Sequence, residues 1–65
     1  MESNKFIFSV CQIIEETGKL NTIKYNDTFL VNLNYDSALL YLGLLENDFE
    51  DNNFVIVNEE SGKII

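Results

Sequence analysis

Ser3-Asn4-Lys5-Phe6-Ile7-Phe8-Ser9-Val10-Cys11-Gln12-Ile13-Ile14-Glu15-Glu16-Thr17-Gly18 decides the fold class, because it can be read with either of two periods. On the helical period, Phe6, Ile7, Val10, Cys11, Ile13, Ile14 and Thr17 follow the i, i+3, i+4, i+7 spacing of one apolar face. Ser3 stands where an N-cap belongs and Gly18 where a C′ glycine belongs. On a period of two, Phe-Ile-Phe is the β-prone centre of a strand over residues 5–9. The longer pattern and the agreement of both ends favour a helix over 4–17.

Beyond Gly18 the chain reads as a β-hairpin. Residues 20–25 and 28–33 flank Asn26-Asp27, a pair that tolerates the positive φ angles of a two-residue turn. That turn sets Tyr25 against Thr28, Ile23 against Leu30 and Leu20 against Leu33, and the face carrying Leu20, Phe29, Val31 and Leu33 is the expected core. A second helix is expected over 37–46, with Asp36 as its N-cap. Its Gly43 costs about 1 kcal/mol relative to Ala. It is apolar nearly all round, through Ala38, Leu39, Leu40, Tyr41, Leu42, Leu44 and Leu45. Residues 47–53 form a polar loop, Phe54–Asn58 a strand and 63–65 a short returning strand, with Glu60 opposite Lys63 across a Ser61-Gly62 turn. The expected order is αββαββ: an α+β domain over residues 1–65, an antiparallel sheet with two helices on one face. The two halves share no residue pattern that amounts to a repeat. The core is expected to centre on Phe6, Val10, Ile14, Phe29, Val31, Leu40, Leu44 and Ile56.

Composition narrows the chemistry. The 65 residues hold four Lys and no Arg against eleven acids, a net charge of −7, with no His and one Cys. Imidazole catalysis, imidazole metal sites and arginine clamps are therefore absent. A single Cys forms neither an intramolecular disulfide nor a Cys-rich zinc site. Direct binding of DNA or RNA needs basic side chains to neutralise phosphate, and four lysines against eleven acids do not provide them. At 46% apolar residues the chain is too hydrophobic for a disordered acidic tail. No apolar run approaches the ~20 residues of a membrane span, and residues 1–5 open no signal-peptide core. A cytoplasmic location is the expectation, and a free Cys11 suits a reducing compartment.

Residues 48–59 approximate a calcium loop. Asp48, Glu50, Asn52, Asn53 and Glu59 fall near the D-x-[DN]-x-[DN]-G-x₅-E pattern, with Glu59 at the twelfth position and aliphatic Val55 at the eighth. Over these twelve residues the chain resembles an EF-hand loop. Glu50 is long for its position, Asn53 replaces the glycine, and Glu59 leads into the turn-like Glu60-Ser61-Gly62-Lys63 instead of a helix. The reading is an acidic loop feeding a strand, with no metal and no cofactor. Cys11 has no partner base and reads as a small buried hydrophobe. No catalytic residue is assigned, and the chain is read as a non-enzyme.

The placement of the acids carries the functional reading. Glu15 and Glu16 close the first segment, Glu46, Asp48, Glu50 and Asp51 gather at the end of the second helix around Phe49, and Glu59-Glu60 follow the strand. Carboxylates in the last turn of a helix oppose its dipole by about 0.3–1 kcal/mol each, so helix stability alone would place Lys there. These nine residues are the expected partner-binding set, directed at a basic protein surface such as that of a nucleic-acid-binding effector. In size and charge the chain resembles the small acidic antagonists of bacterial defence encoded by phages, including anti-CRISPR proteins and DNA mimics. That resemblance implies an inhibitor acting in the host cytoplasm. The alternative is a homo-oligomeric structural or adaptor protein. A homodimer is expected in either case, through Tyr41, Leu42, Leu45, Ile23, Tyr25 and Leu30, since a chain this short buries only ~60% of its unfolded surface.

Overall fold

A computed structural model describes residues 5–50 and 53–65. Its elements are β1 (Phe8–Ile14), β2 (Lys19–Thr22), β3 (Lys24–Tyr25), β4 (Thr28–Phe29), α1 (Tyr35–Asp48), β5 (Phe54–Asn58) and β6 (Lys63–Ile64). The first segment is thus a strand, and the expected αββαββ order with two helices on one face is overturned. The described residues form a curled antiparallel sheet of order β2-β1-β5-β6, a two-stranded β3-β4 ribbon and a single helix.

The reason lies in the position of β1. Phe8, Ser9, Val10 and Cys11 are all buried, because β1 is an inner strand paired on both edges and covered on both faces. A strand in that setting reads as an unbroken apolar run, which also satisfies helical spacing. The β-branched Ile13, Ile14 and Val10 favour the extended form. Gly18 does adopt a positive φ of 71°, but in a hairpin turn, where its N–H donates to the Ile14 carbonyl at 2.7 Å. A helix C-cap and this turn demand the same backbone, so the glycine does not distinguish them.

The edge of β1 opposite β5 is filled in two instalments. β2 pairs with it from Cys11↔Thr22 to Ile14↔Lys19. The chain then leaves the sheet as the β3-β4 ribbon and returns at Leu30. There the Leu30 carbonyl accepts from Val10 N at 3.0 Å, and Leu33 exchanges both backbone bonds with Phe8 at 2.8 and 2.9 Å. The ribbon closes through Leu30 N to Ile23 O at 3.1 Å and turns at Asn26 and Asp27, with φ of 50° and 66°. Tyr25↔Thr28 pair as the sequence implies. Leu20 instead pairs with Ile13, and a positive φ at Asn32 breaks the expected second strand. The buried face is consequently the other one: Leu30 is fully enclosed, Ile23 and Tyr25 are half-buried, and Phe29 is exposed.

α1 starts earlier than expected. Asn34, not Asp36, caps it, its Oδ1 accepting from Ser37 N at 2.8 Å. The helix crosses β1 and β5 and is held along its length by three aromatic pairs. Tyr35 meets Phe8 edge-on at 5.3 Å, Tyr41 meets Tyr25 at 5.8 Å, and Phe49 meets Phe54 at 6.4 Å. Each such pair contributes about 0.5–1.5 kcal/mol beyond its buried area. Ala38 and Leu45 turn to the sheet, whereas Leu40 and Leu44 turn to solvent. The core is Phe8, Val10, Leu30, Ala38, Leu45 and Ile56. Of the expected core, Val10 and Ile56 are buried and Val31 is half-buried; Phe6, Ile14, Phe29, Leu40 and Leu44 are exposed. A helix apolar on every side gives no sequence signal for the face it buries.

The β5-β6 turn repeats the β1-β2 turn. Gly62 has φ 72° and donates to Asn58 O at 2.7 Å, and Asn58 faces Lys63 where Glu60 was expected. Among the described residues, no helix is long and apolar enough to cross a membrane.

Candidate functional site: the acidic end of the sheet

β1 and β5 run antiparallel, so the last residue of β1 lies beside the first of β5. Ile13 N donates to Asn53 O at 3.0 Å, and the Asn53 side-chain amide donates to the Glu15 carboxylate. These two contacts draw the end of β1 against the segment that follows α1. Glu15 and Glu16, thirty residues before Glu46 in the chain, thereby come to the same end of the molecule as Glu46, Asp48 and Glu50. All five are exposed. Asp51, expected with them, lies outside the described residues.

Glu59 and Glu60 do not join this cluster. They follow the far end of β5, where Glu59 N donates to Ile7 O at 2.7 Å and its carboxylate accepts from Asn32 N at 3.0 Å. The same separation removes the calcium geometry. Five residues of extended β5 put Glu59 about 15 Å beyond the start of that strand, whereas Asp48 ends α1. Among the described residues, no group of three or more His, Cys, Asp or Glu is placed to hold a metal ion.

Beside the acidic end is an open cleft of about 260 Å³, lined by Gln12, Ile23, Lys24, Leu45, Phe49 and Phe54. Phe49 forms part of its wall and remains 49% exposed, so it neither folds wholly into the core nor stands free. Lys24 extends over the Phe29 ring, 4.7 Å from its centre, a cation–π contact on the ribbon side of the cleft. Cys11 is buried, and its sulfur lies 3.8 Å from Ser9 Oγ, a neighbour that cannot serve as a base.

The six residues expected at a dimer interface are used inside the chain. Leu30 and Leu45 are core, and Tyr41, Leu42, Ile23 and Tyr25 are half-buried against it. One signal was overlooked in the sequence. Glu15-Glu16-Thr17-Gly18-Lys19 and Glu59-Glu60-Ser61-Gly62-Lys63 are near-identical strings. Both form four-residue turns in which the Thr17 or Ser61 hydroxyl accepts from the following lysine's N–H, at 3.2 and 3.3 Å. No family model, no curated protein and no solved structure matches the chain.

Proposed function

We propose that the protein is a non-enzymatic binding module whose acidic end occupies a basic surface of a nucleic-acid-handling partner in the cytoplasm and inhibits it, as a DNA mimic does. The observation that carries this reading is the Asn53–Glu15 contact, which brings two acidic segments distant in sequence to the same end of the molecule. Carboxylates fixed on a folded scaffold need little further ordering on binding. A net charge of −7 steers a basic partner toward them. Phe49, exposed at the lip of the cleft, supplies an apolar anchor ringed by charge.

The test compares two double variants of equal net charge. Asp48→Lys with Glu50→Lys alters the acidic end; Asp36→Lys with Glu60→Lys alters exposed acids elsewhere. Each is used to capture proteins from host lysate at low and high salt. A basic nucleic-acid-binding protein retained by the parent and the second variant, lost by the first, and displaced by duplex DNA supports the reading. Equal loss by both variants means that net charge alone is at work and refutes it.

A further inference from the structure

The cleft beside the acidic end has a chemistry of its own. Leu45 lines it and is only 2% exposed, so its inner end is the core itself. The base of the ribbon brings Ile23 and Lys24 to it, the end of α1 brings Phe49, and the start of β5 brings Phe54. Apolar side chains dominate the lining, and among the described residues Lys24 is its only charged member; no carboxylate lines it. The Lys24 ammonium is held over the Phe29 ring, 4.7 Å from its centre. A ring face carries no net charge, so the ammonium keeps hydrogen-bond donors for an anion.

We propose that the cleft binds a small aromatic monocarboxylate, its ring against Leu45, Phe49 and Phe54 and its carboxylate on Lys24. An apolar site with one well-placed polar group is the usual form of a small-ligand pocket. Size sets the class of ligand. A dry apolar cavity of about 150 Å³ accepts benzene, and about 260 Å³ leaves room for a ring with a short acid arm. The walls favour a ring over an alkyl chain. Phe49 and Phe54 lie 6.4 Å apart and tilted by 58°, an arrangement that a third ring extends edge to face. Charge then separates the acid from its neutral analogue, because the carboxylate accepts a charge-assisted bond from Lys24. A cation is drawn to the exposed acids nearby but meets Lys24 in the cleft, so cleft and acidic end select opposite charges. The cleft is open and the chain carries −7, so the affinity is weak, in the millimolar range. This site needs no macromolecular partner and stands apart from the inhibitor reading.

Titrations followed by two-dimensional NMR test the site, with phenylacetate, its neutral isostere phenylacetamide and the cation phenethylamine as probes. Phenylacetate should shift the signals of Ile23, Leu45, Phe49 and Phe54 saturably and bind at least about threefold more tightly than the amide, the worth of a partly exposed ion pair. Phenethylamine should give no saturable shift at those residues. Lys24→Gln should make acid and amide bind alike, whereas Lys63→Gln, which changes net charge equally, should keep the preference. Both lysines are exposed, so each variant should retain the parent's circular dichroism. Absence of cleft shifts at millimolar phenylacetate, equal or tighter binding of the amide or the amine, a preference that survives Lys24→Gln, or its equal loss in Lys63→Gln overturns the proposal.

Discussion

Gly18 and Gly62 hold the same backbone conformation, φ 71° and 72°, at the same place in two turns of matching sequence. Each donates its N–H to the last carbonyl of the preceding strand at 2.7 Å. The antiparallel β1-β5 pair carries the turns to opposite ends of the sheet, and Cys11↔Val55 lies at the centre of the resulting approximate two-fold relation between the hairpins.

Neither glycine is crowded, since an added Cβ would meet nothing within 4 Å at either. The cost of substitution is conformational. Gly18→Ala and Gly62→Ala should each destabilise the chain by about 1–2 kcal/mol. Gly43→Ala, in helical backbone, should stabilise the chain by up to about 1 kcal/mol. Thermal melts of the three variants check the sign at each site; a stabilised Gly18→Ala would mean that the turn is wrongly placed.

Leu40 was expected in the core and Leu30 at an interface, and the structure reverses their burial. Leu30 is fully buried and Leu40 is 63% exposed. Leu30→Ala should cost about 2–5 kcal/mol, enough to unfold a marginal 65-residue domain. Leu40→Ala should stay within about 0.5 kcal/mol. Urea titrations of both variants decide the matter, and equal losses would place α1 in a different rotation.

The helix start offers a third check. The Asn34 side chain accepts from Ser37 N, so Asn34→Ala should cost about 1 kcal/mol. Asp36 lies inside the first turn and is exposed, so Asp36→Ala should lose only the dipole contribution, under about 1 kcal/mol. If the Asp36 variant were the weaker of the two, the cap would sit two residues later.

Where local chemistry is decisive, the sequence reading and the structure agree. Asn26-Asp27 marks a tight turn because few other pairs accept two positive φ values, and β5 stands out as Phe-Val-Ile-Val between polar segments. α1 was legible as a helix but not in its rotation, since leucines at 39, 40, 42, 44 and 45 leave the choice to the sheet beneath. The first segment failed for a related reason: burial on both faces removes the alternation that identifies a strand. At the acidic end, the types and exposure of Glu46, Asp48 and Glu50 were readable, whereas the union with Glu15 depends on β1 pairing with β5 and appears only once that ladder exists.

The interrupted strand along β1 also says how this fold can vary. The chain departs at Thr22, rejoins at Leu30, and closes the excursion with one backbone bond, Leu30 N to Ile23 O. Residues added at the Asn26-Asp27 tip would leave every rung of the β1 ladder in place and cost little beyond loop closure. Ile23 and Lys24, at the base of that excursion, form one wall of the cleft. Descendants of this sequence can therefore change the reach of the cleft rim by insertion and deletion while the sheet is inherited intact.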